Sequence, residues 1–248
     1  MREIYLFNIR FIDADLSEIF RELESGGVMI APSAPSLAII DSDKPYHQSL
    51  MRSNFAIFDS GFLCIALLIL KGIKVKKISG LAFVREFLNR INIFPVDSIF
   101  LVDPTCDDSV ENTKLLNKHG YNLGASHQYV APIYKTGDIE DAILLNKLKI
   151  LMPKYIVLNL GGGVQERLAD YLQRNLEHYK PSIICTGAAI AFLTKKQSNI
   201  PEILDKLYLG WFVRCITNHK RFVPRYIQGF KIAPMLFLEK IIIKDSAN

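Results

Sequence analysis

The sequence predicts an α/β protein: a mainly parallel, Rossmann-like sheet with helices on both faces, followed by a basic amphipathic C-terminal appendage. Three observations carry this reading. Short apolar runs recur along the chain, stretches of helical spacing separate them, and one run, Tyr155 to Leu158, opens into three consecutive glycines before a helical pattern resumes. A parallel strand buried on both faces reads as a continuous apolar run. Strands that alternate with helices build such a sheet.

Taken in order, strands are expected at Val28-Met29-Ile30-Ala31, Phe55-Ala56-Ile57-Phe58, Ser98 to Val102, Tyr155 to Asn159 and Ser182-Ile183-Ile184-Cys185. Leu16, Ile19, Phe20 and Leu23 share one helical face, so Leu16 to Leu23 is expected to be a helix, and Ile139 to Leu151 shows similar spacing. There is no internal repeat, low-complexity segment or flexible linker. The one composition shift falls near Lys195 and divides the chain into an α/β domain at 1–194 and an appendage at 195–248.

With 248 residues, half of them hydrophobic, the chain buries a full core as one large domain or as a domain with an appendage, which excludes a disordered protein. Cys64, Cys106, Cys185 and Cys215 form no C-x-x-C pair, and the amino terminus does not read as a signal peptide, so a cytoplasmic location is expected. The longest apolar run, Phe62 to Leu70, stops at Lys71, well short of the roughly 20 residues of a membrane-spanning helix. A soluble or peripheral protein is expected.

Charge is unevenly distributed. Residues 195–248 carry ten Lys and Arg against four Asp and Glu, whereas residues 1–194 carry twenty against twenty-one. Trp211, Phe212, Phe222, Tyr226, Phe230, Met235 and Phe237 are interleaved with that basic charge, a mixture suited to an anionic membrane surface. A solvated basic face covering the core is the alternative. Arg214, Arg221 and Arg225 are seven and four residues apart and would share one helical face, although Pro224 and Pro234 are expected to prevent one uninterrupted helix. An apolar tail is also shielded by self-association when no membrane is present, so a homo-oligomer is a further expected state of undetermined size.

Gly161, Gly162 and Gly163 end a strand and precede Gln165 and Glu166 at a helix start. Free N–H groups and the positive end of the helix dipole there suit a phosphate. The loop lacks both the G-x-G-x-x-G fingerprint and a P-loop Gly-Lys-Ser/Thr, so on its own it fits a structural turn as well as a nucleotide-binding loop. Asp59 follows the strand Phe55 to Phe58, where it is either a catalytic carboxylate or, the reading the residues alone favour, the N-cap of the next helix. Ala31-Pro32-Ser33 follows another strand, and Lys77, Ser79 and Gly80 stand where they would line the same crevice. Asp41-Ser42-Asp43 reads as a surface turn before Lys44-Pro45. The histidines show no metal-ligand spacing, no G-x-S-x-G elbow appears, and no nucleic-acid recognition motif accompanies the basic tail.

In this order, the segments resemble the bacterial WecG/TagA/CpsF glycosyltransferase family over nearly the whole chain. Ala31-Pro32-Ser33 stands where the family has Thr-Pro-Asn, Asp59-Ser60-Gly61 where it has Asp-Gly, and Lys77-Ile78-Ser79-Gly80 where it has Arg-x-Thr-Gly. Gly161 to Glu166 is similar to its Gly-Ala-Pro-Lys-Gln-Glu, Thr186-Gly187-Ala188-Ala189 with Phe192 to its Gly-Gly-x-Phe-Asp-Phe, and Leu209-Gly210-Trp211 with the three arginines to its tail. Gly124 and Tyr129 fit a Gly-Tyr-Phe segment.

The resemblance implies transfer of a sugar, often of N-acetylmannosamine type, from a UDP-sugar to a polyprenyl-diphosphate-linked saccharide with inversion, at the inner face of the cell membrane. In that reading Asp59 is the general base rather than a cap. Gln165 orients hydroxyls, and Gly161, Gly162, Gly163 and Glu166 approach the donor. Lys77 neutralises phosphate charge, with Ser33, Ser79, Gly80 and Tyr129 lining the substrate. Arg214, Arg221 and Arg225 grip the lipid diphosphate. Neither cofactor nor metal is expected, nor a nucleic-acid partner. The chain departs from the family at Ala31, Ser33, Lys77, Ala82, Asp103-Pro104, the residues before Gln165, and Ala191. Those departures suggest a divergent donor or acceptor, and the alternative is a non-catalytic relative that binds a nucleotide-sugar or lipid-linked intermediate.

Overall fold

The computed structural model describes residues 1–90, 98–135, 137–176, 178–194, 215–216 and 219–245. The chain runs β1 (Arg2–Leu6), β2 (Ile9–Asp13), α1 (Leu16–Glu24), β3 (Gly27–Ile30), α2 (Ala34–Leu37), α3 (Lys44–Arg52), β4 (Phe55–Ile57), α4 (Gly61–Lys71), α5 (Gly80–Asn89) and β5 (Ile99–Asp103). It continues with α6 (Cys106–Lys118), β6 (Gln128–Val130), α7 (Ala142–Leu151), β7 (Tyr155–Leu158), α8 (Val164–Asn175), β8 (Ser182–Cys185), α9 (Ile190–Leu193), α10 (His219–Gly229), α11 (Ile232–Leu238) and β9 (Ile242–Asp245).

The nine strands among the described residues join one sheet in the order β6-β5-β7-β8-β3-β4-β2-β1-β9. The neighbours from β6 to β2 are parallel, and β1 pairs antiparallel with both β2 and β9. The mainly parallel α/β fold is therefore present, with an antiparallel hairpin that the apolar runs did not signal. That hairpin turns at Phe7 and Asn8, both at positive φ (53° and 61°), the geometry of a tight two-residue turn.

Side-chain alternation explains why both faces are covered. Val28 and Ile30, Phe100 and Val102, and Ile156 and Leu158 point into a core built with α2, α3, α4, α7, α8 and α11. Their intervening partners Met29, Leu101, Tyr155 and Val157 point into a second core with α1, α5, α6 and α9. The expected strands appear within a residue of their predicted bounds. The helix expected from Ile139 starts later, at Ala142, because Asp141 takes the N-cap position and accepts the Leu144 N–H at 2.9 Å.

The crossover from β4 to β5 divides the parallel strands into two groups that meet at the β3–β8 pair. The strand ends beside that pair are where ligands of open α/β sheets bind. Within 195–248, α10 packs against α2, α11 packs against α4, and β9 adds to the sheet beside β1. The tail helix is interrupted, as expected, but at Phe230-Lys231; Pro224 lies within α10. Pro234 falls in the first turn of α11, where its missing N–H removes no helical bond. No helix among the described residues is long and apolar enough to cross a membrane.

Candidate active site

The carboxyl ends of β3, β4, β7 and β8 lie side by side at one edge of the sheet, where open α/β sheets have their ligand crevice. At the end of β4, Ser60 rather than Asp59 caps α4, and its Oγ accepts N–H groups from Leu63 and from Ala34 at the start of α2, each at 3.3 Å. Asp59 turns the other way. Its Oδ1 accepts the N–H of Gly80, the first residue of α5, at 2.6 Å, while Ser79 caps that helix by accepting the Ala82 N–H. The carboxylate thus sits at the positive end of α5.

Lys77 belongs to the same corner: the next residue, Ile78, donates its N–H to the Phe58 carbonyl at 3.0 Å. Both charges act on the buried Cys64 thiol. Burial pushes that thiol up to about 12, with Lys77 opposing the shift and Asp59 adding to it.

Across the crevice, Ser33 caps α2 and its Oγ lies 2.7 Å from the Ser36 hydroxyl. Arg225 reaches in from α10, with Nη2 3.4 Å from Ser33 Oγ. A Cβ added to Gly162 would lie 3.4 Å from Ser36 Oγ and 4.0 Å from Arg225 Nη2, so the glycine loop passes directly over this cluster. Tyr46, fully buried beneath, has its hydroxyl pushed up first by burial and then by the Glu166 charge; Ser36, Arg167 and Arg225 oppose the shift.

The glycine loop forms as the sequence indicates. Gly161 and Gly162 are exposed, and Gly163 takes φ +89° as the residue before α8. Gln165 and Glu166, each 2% exposed, are buried at the start of α8. Glu166 Oε2 accepts the Gly163 N–H at 2.6 Å and its Oε1 accepts Gln165 Nε2 at 2.9 Å, while Gln165 Oε1 accepts the Gly187 N–H at 2.8 Å. Burial raises the Glu166 pKa, and the bonds from Gln165 and from backbone N–H groups pull it back.

Tyr129 stands apart. Four strands separate β6 from β4, about 24 Å at ordinary strand spacing. Its hydroxyl and that of Tyr134 both donate to Asp141 Oδ2, at 2.8 and 2.7 Å. Arg214 lies outside the described residues, as does the side chain of Arg221; the backbone of Arg221 falls in α10. Asp43 of the expected surface turn caps α3 and pairs with Arg167 at 2.6 Å.

Ser36, Tyr46 and Asn159 were not singled out from sequence. Ser36 and Tyr46 join the site only because the loops after β3 and β7 converge. Asn159, just past β7, donates Nδ2 to Asp103 Oδ1 at 2.8 Å and ties two strand ends together beneath the loop.

A Rossmann-like sheet with an oriented carboxylate, a glycine loop and a cluster of hydroxyls gathered at its carboxyl edge defines an α/β protein of Rossmann-like class. The particular family follows from the whole sequence: the model of the glycosyl transferase WecG/TagA/CpsF family matches residues 4–246, and the chain belongs to that family. It is therefore a glycosyltransferase of cell-surface polysaccharide synthesis, a class that uses a nucleotide-sugar donor and a lipid-linked acceptor. No curated protein matches the chain.

Proposed function

We propose that the protein is an inverting glycosyltransferase that moves a sugar of hexosyl or N-acetylhexosaminyl type from a UDP-sugar to a polyprenyl-diphosphate-linked saccharide, acting as a peripheral protein on the inner membrane face. The observation that carries this is the placement of Asp59: at a strand end in the crevice, held by the Gly80 N–H and accompanied by Lys77. The acceptor hydroxyl gives its proton to Asp59 as its oxygen attacks the anomeric carbon. The bond to the UDP oxygen breaks on the opposite face, which inverts the centre, and Lys77 offsets the charge on the departing diphosphate.

The β4 and β7 ends lie three strand spacings apart, about 14 Å, so the donor spans from the glycine loop to Asp59. Ser33, Ser36 and Arg225 face its middle, and Ser79 and Gly80 border the sugar end. The described tail supports the membrane reading. Phe230, Phe237 and Leu238 are 55%, 69% and 83% exposed, beside Leu68 and Ile69 of α4 at 50% and 74%. Lys231 and Lys240, both exposed, flank α11 in sequence, and Lys71 Nζ bonds to the carbonyls of Phe237 and Glu239.

The test is a panel of UDP-sugars with a short-chain polyprenyl-diphosphate sugar, read by product mass. A gain of one sugar that drops at least a hundredfold in Asp59→Asn, with UDP affinity retained, is expected. Normal turnover in Asp59→Asn would remove the base assignment. UDP binding without transfer across the panel would make the protein a non-catalytic relative.

A further inference from the structure

Gln165 and Glu166 are adjacent polar residues in the first turn of α8, yet both are almost fully buried. Their side chains form three consecutive hydrogen bonds. Gly163 N–H reaches Glu166, Gln165 Nε2 reaches the other oxygen of the same carboxylate, and Gly187 N–H reaches Gln165 Oε1. The series joins the glycine loop after β7 to the turn after β8, where Gly187 is held at φ +63°.

That second turn is packed against the corner holding Asp59. A Cβ added to Gly80 would lie 3.2 Å from Ala189 Cβ and 3.3 Å from the Thr186 carbonyl oxygen, so the backbone of Gly80 rests directly on the turn. The N–H of the same Gly80 holds Asp59. We propose that Gln165 and Glu166 are positioning residues: they lock the glycine loop to the Thr186–Ala189 turn, and through Gly80 they fix Asp59, without touching the sugar themselves. Only the catalytic consequence rests on the glycosyltransferase reading; the mechanical link does not.

The bonding pattern admits one diagnostic exchange. In Glu166→Gln an N–H replaces one acceptor oxygen, and however the two amides rotate, one of the three bonds meets donor against donor. Gln165→Glu sets two buried carboxylates against each other. The double variant Gln165→Glu/Glu166→Gln restores all three: Glu at 165 accepts Gly187 N–H and the new amide of residue 166, whose oxygen accepts Gly163 N–H.

Backbone amide exchange at Gly187 and Gly80, followed in the full chain without ligand, reads the link directly. Glu166→Gln is expected to speed exchange at both amides roughly tenfold or more, the consequence of losing one charge-assisted hydrogen bond. The double variant is expected to return both amides, and the kcat of sugar transfer, to within about threefold of the parent, a range narrower than one such bond. Unchanged exchange in Glu166→Gln would overturn the link. A double variant whose amides are protected but whose kcat stays at the single-variant level would overturn the positioning role, because it would show that the side chain at 165 touches substrate. If the parent binds no UDP and transfers no sugar, the transferase reading fails while the exchange experiment still decides the link.

Discussion

Asp103 ends β5 with no exposed surface, and its Oδ1 accepts amide hydrogens from Asn112 at 2.6 Å and Asn159 at 2.8 Å. Burial raises its pKa, and the two amides draw it back. A carboxyl group whose folded pKa lies above its unfolded value contributes stability below the unfolded pKa, about 4, and loses that contribution as pH rises through the folded value. Asp103→Asn retains an acceptor oxygen for both amides and abolishes this dependence. The melting temperature of the variant relative to the parent is therefore expected to rise between pH 4 and pH 7, and a constant difference across that range would refute the argument. Sequence alone placed Asp59 and the three glycines at strand ends, because Asp59 directly follows one apolar run and the glycines begin within three residues of another. It did not reveal which way Gln165 and Glu166 face: a helix start fixes the backbone, while burial of those two side chains is decided by Gly187, more than twenty residues away. The choice between Asp59 and Ser60 as cap was hidden for the same reason, since the Gly80 N–H that draws Asp59 away arrives from another element.

At the scale of elements, α5 is the part on which the site geometry turns. Its N-terminus meets both Asp59 and the turn after β8, and Gly80 fits there because it has no side chain rather than because of its backbone angle, which is not positive. Gly80→Ala would press a methyl group against Ala189 Cβ and the Thr186 carbonyl. Overpacking of this kind costs about 1–3 kcal/mol, and equilibrium urea unfolding is expected to show a loss in that range together with reduced transfer; wild-type stability and activity would show that the turn yields freely. Strands β3, β4, β5, β7 and β8 of the parallel sheet were legible because each is a short continuous apolar run. The β1–β2 hairpin was not, since Phe7-Asn8 replaces the Asn-Gly or Asp-Gly that usually marks such a turn. Nor was β6, a three-residue strand at the sheet edge, too short to show a period.

Across the whole molecule, the described tail crosses the crevice side before it returns to the sheet. Arg225 of α10 reaches Ser33, Gly229 packs on Pro35, the Phe230 ring stands edge-on to Phe62 of α4 at 4.9 Å, and β9 pairs with β1. This path was illegible from the charge count, which marked where the composition changes and not where the segment lies. It has a consequence for how a lipid-linked acceptor would arrive. α4 and α11 pack together, each exposes apolar side chains, and Lys71 of α4 bonds to the Phe237 carbonyl, so a membrane held by these side chains would be bound by the α/β domain as well as by the tail. Burying a Leu or Phe side chain is worth about 1.5–3 kcal/mol. Leu68→Ser combined with Phe237→Ser is therefore expected to weaken sedimentation with anionic vesicles by at least roughly tenfold, allowing for partial insertion, while UDP affinity stays at the parental value. Replacing Lys71, Lys231 and Lys240 by Gln is expected to weaken the same binding most at low salt, where these charges are least screened. If the serine variant binds vesicles like the parent but shifts the protein to a smaller assembly in sedimentation equilibrium, the apolar surface is a contact between subunits, and the membrane is reached by another face.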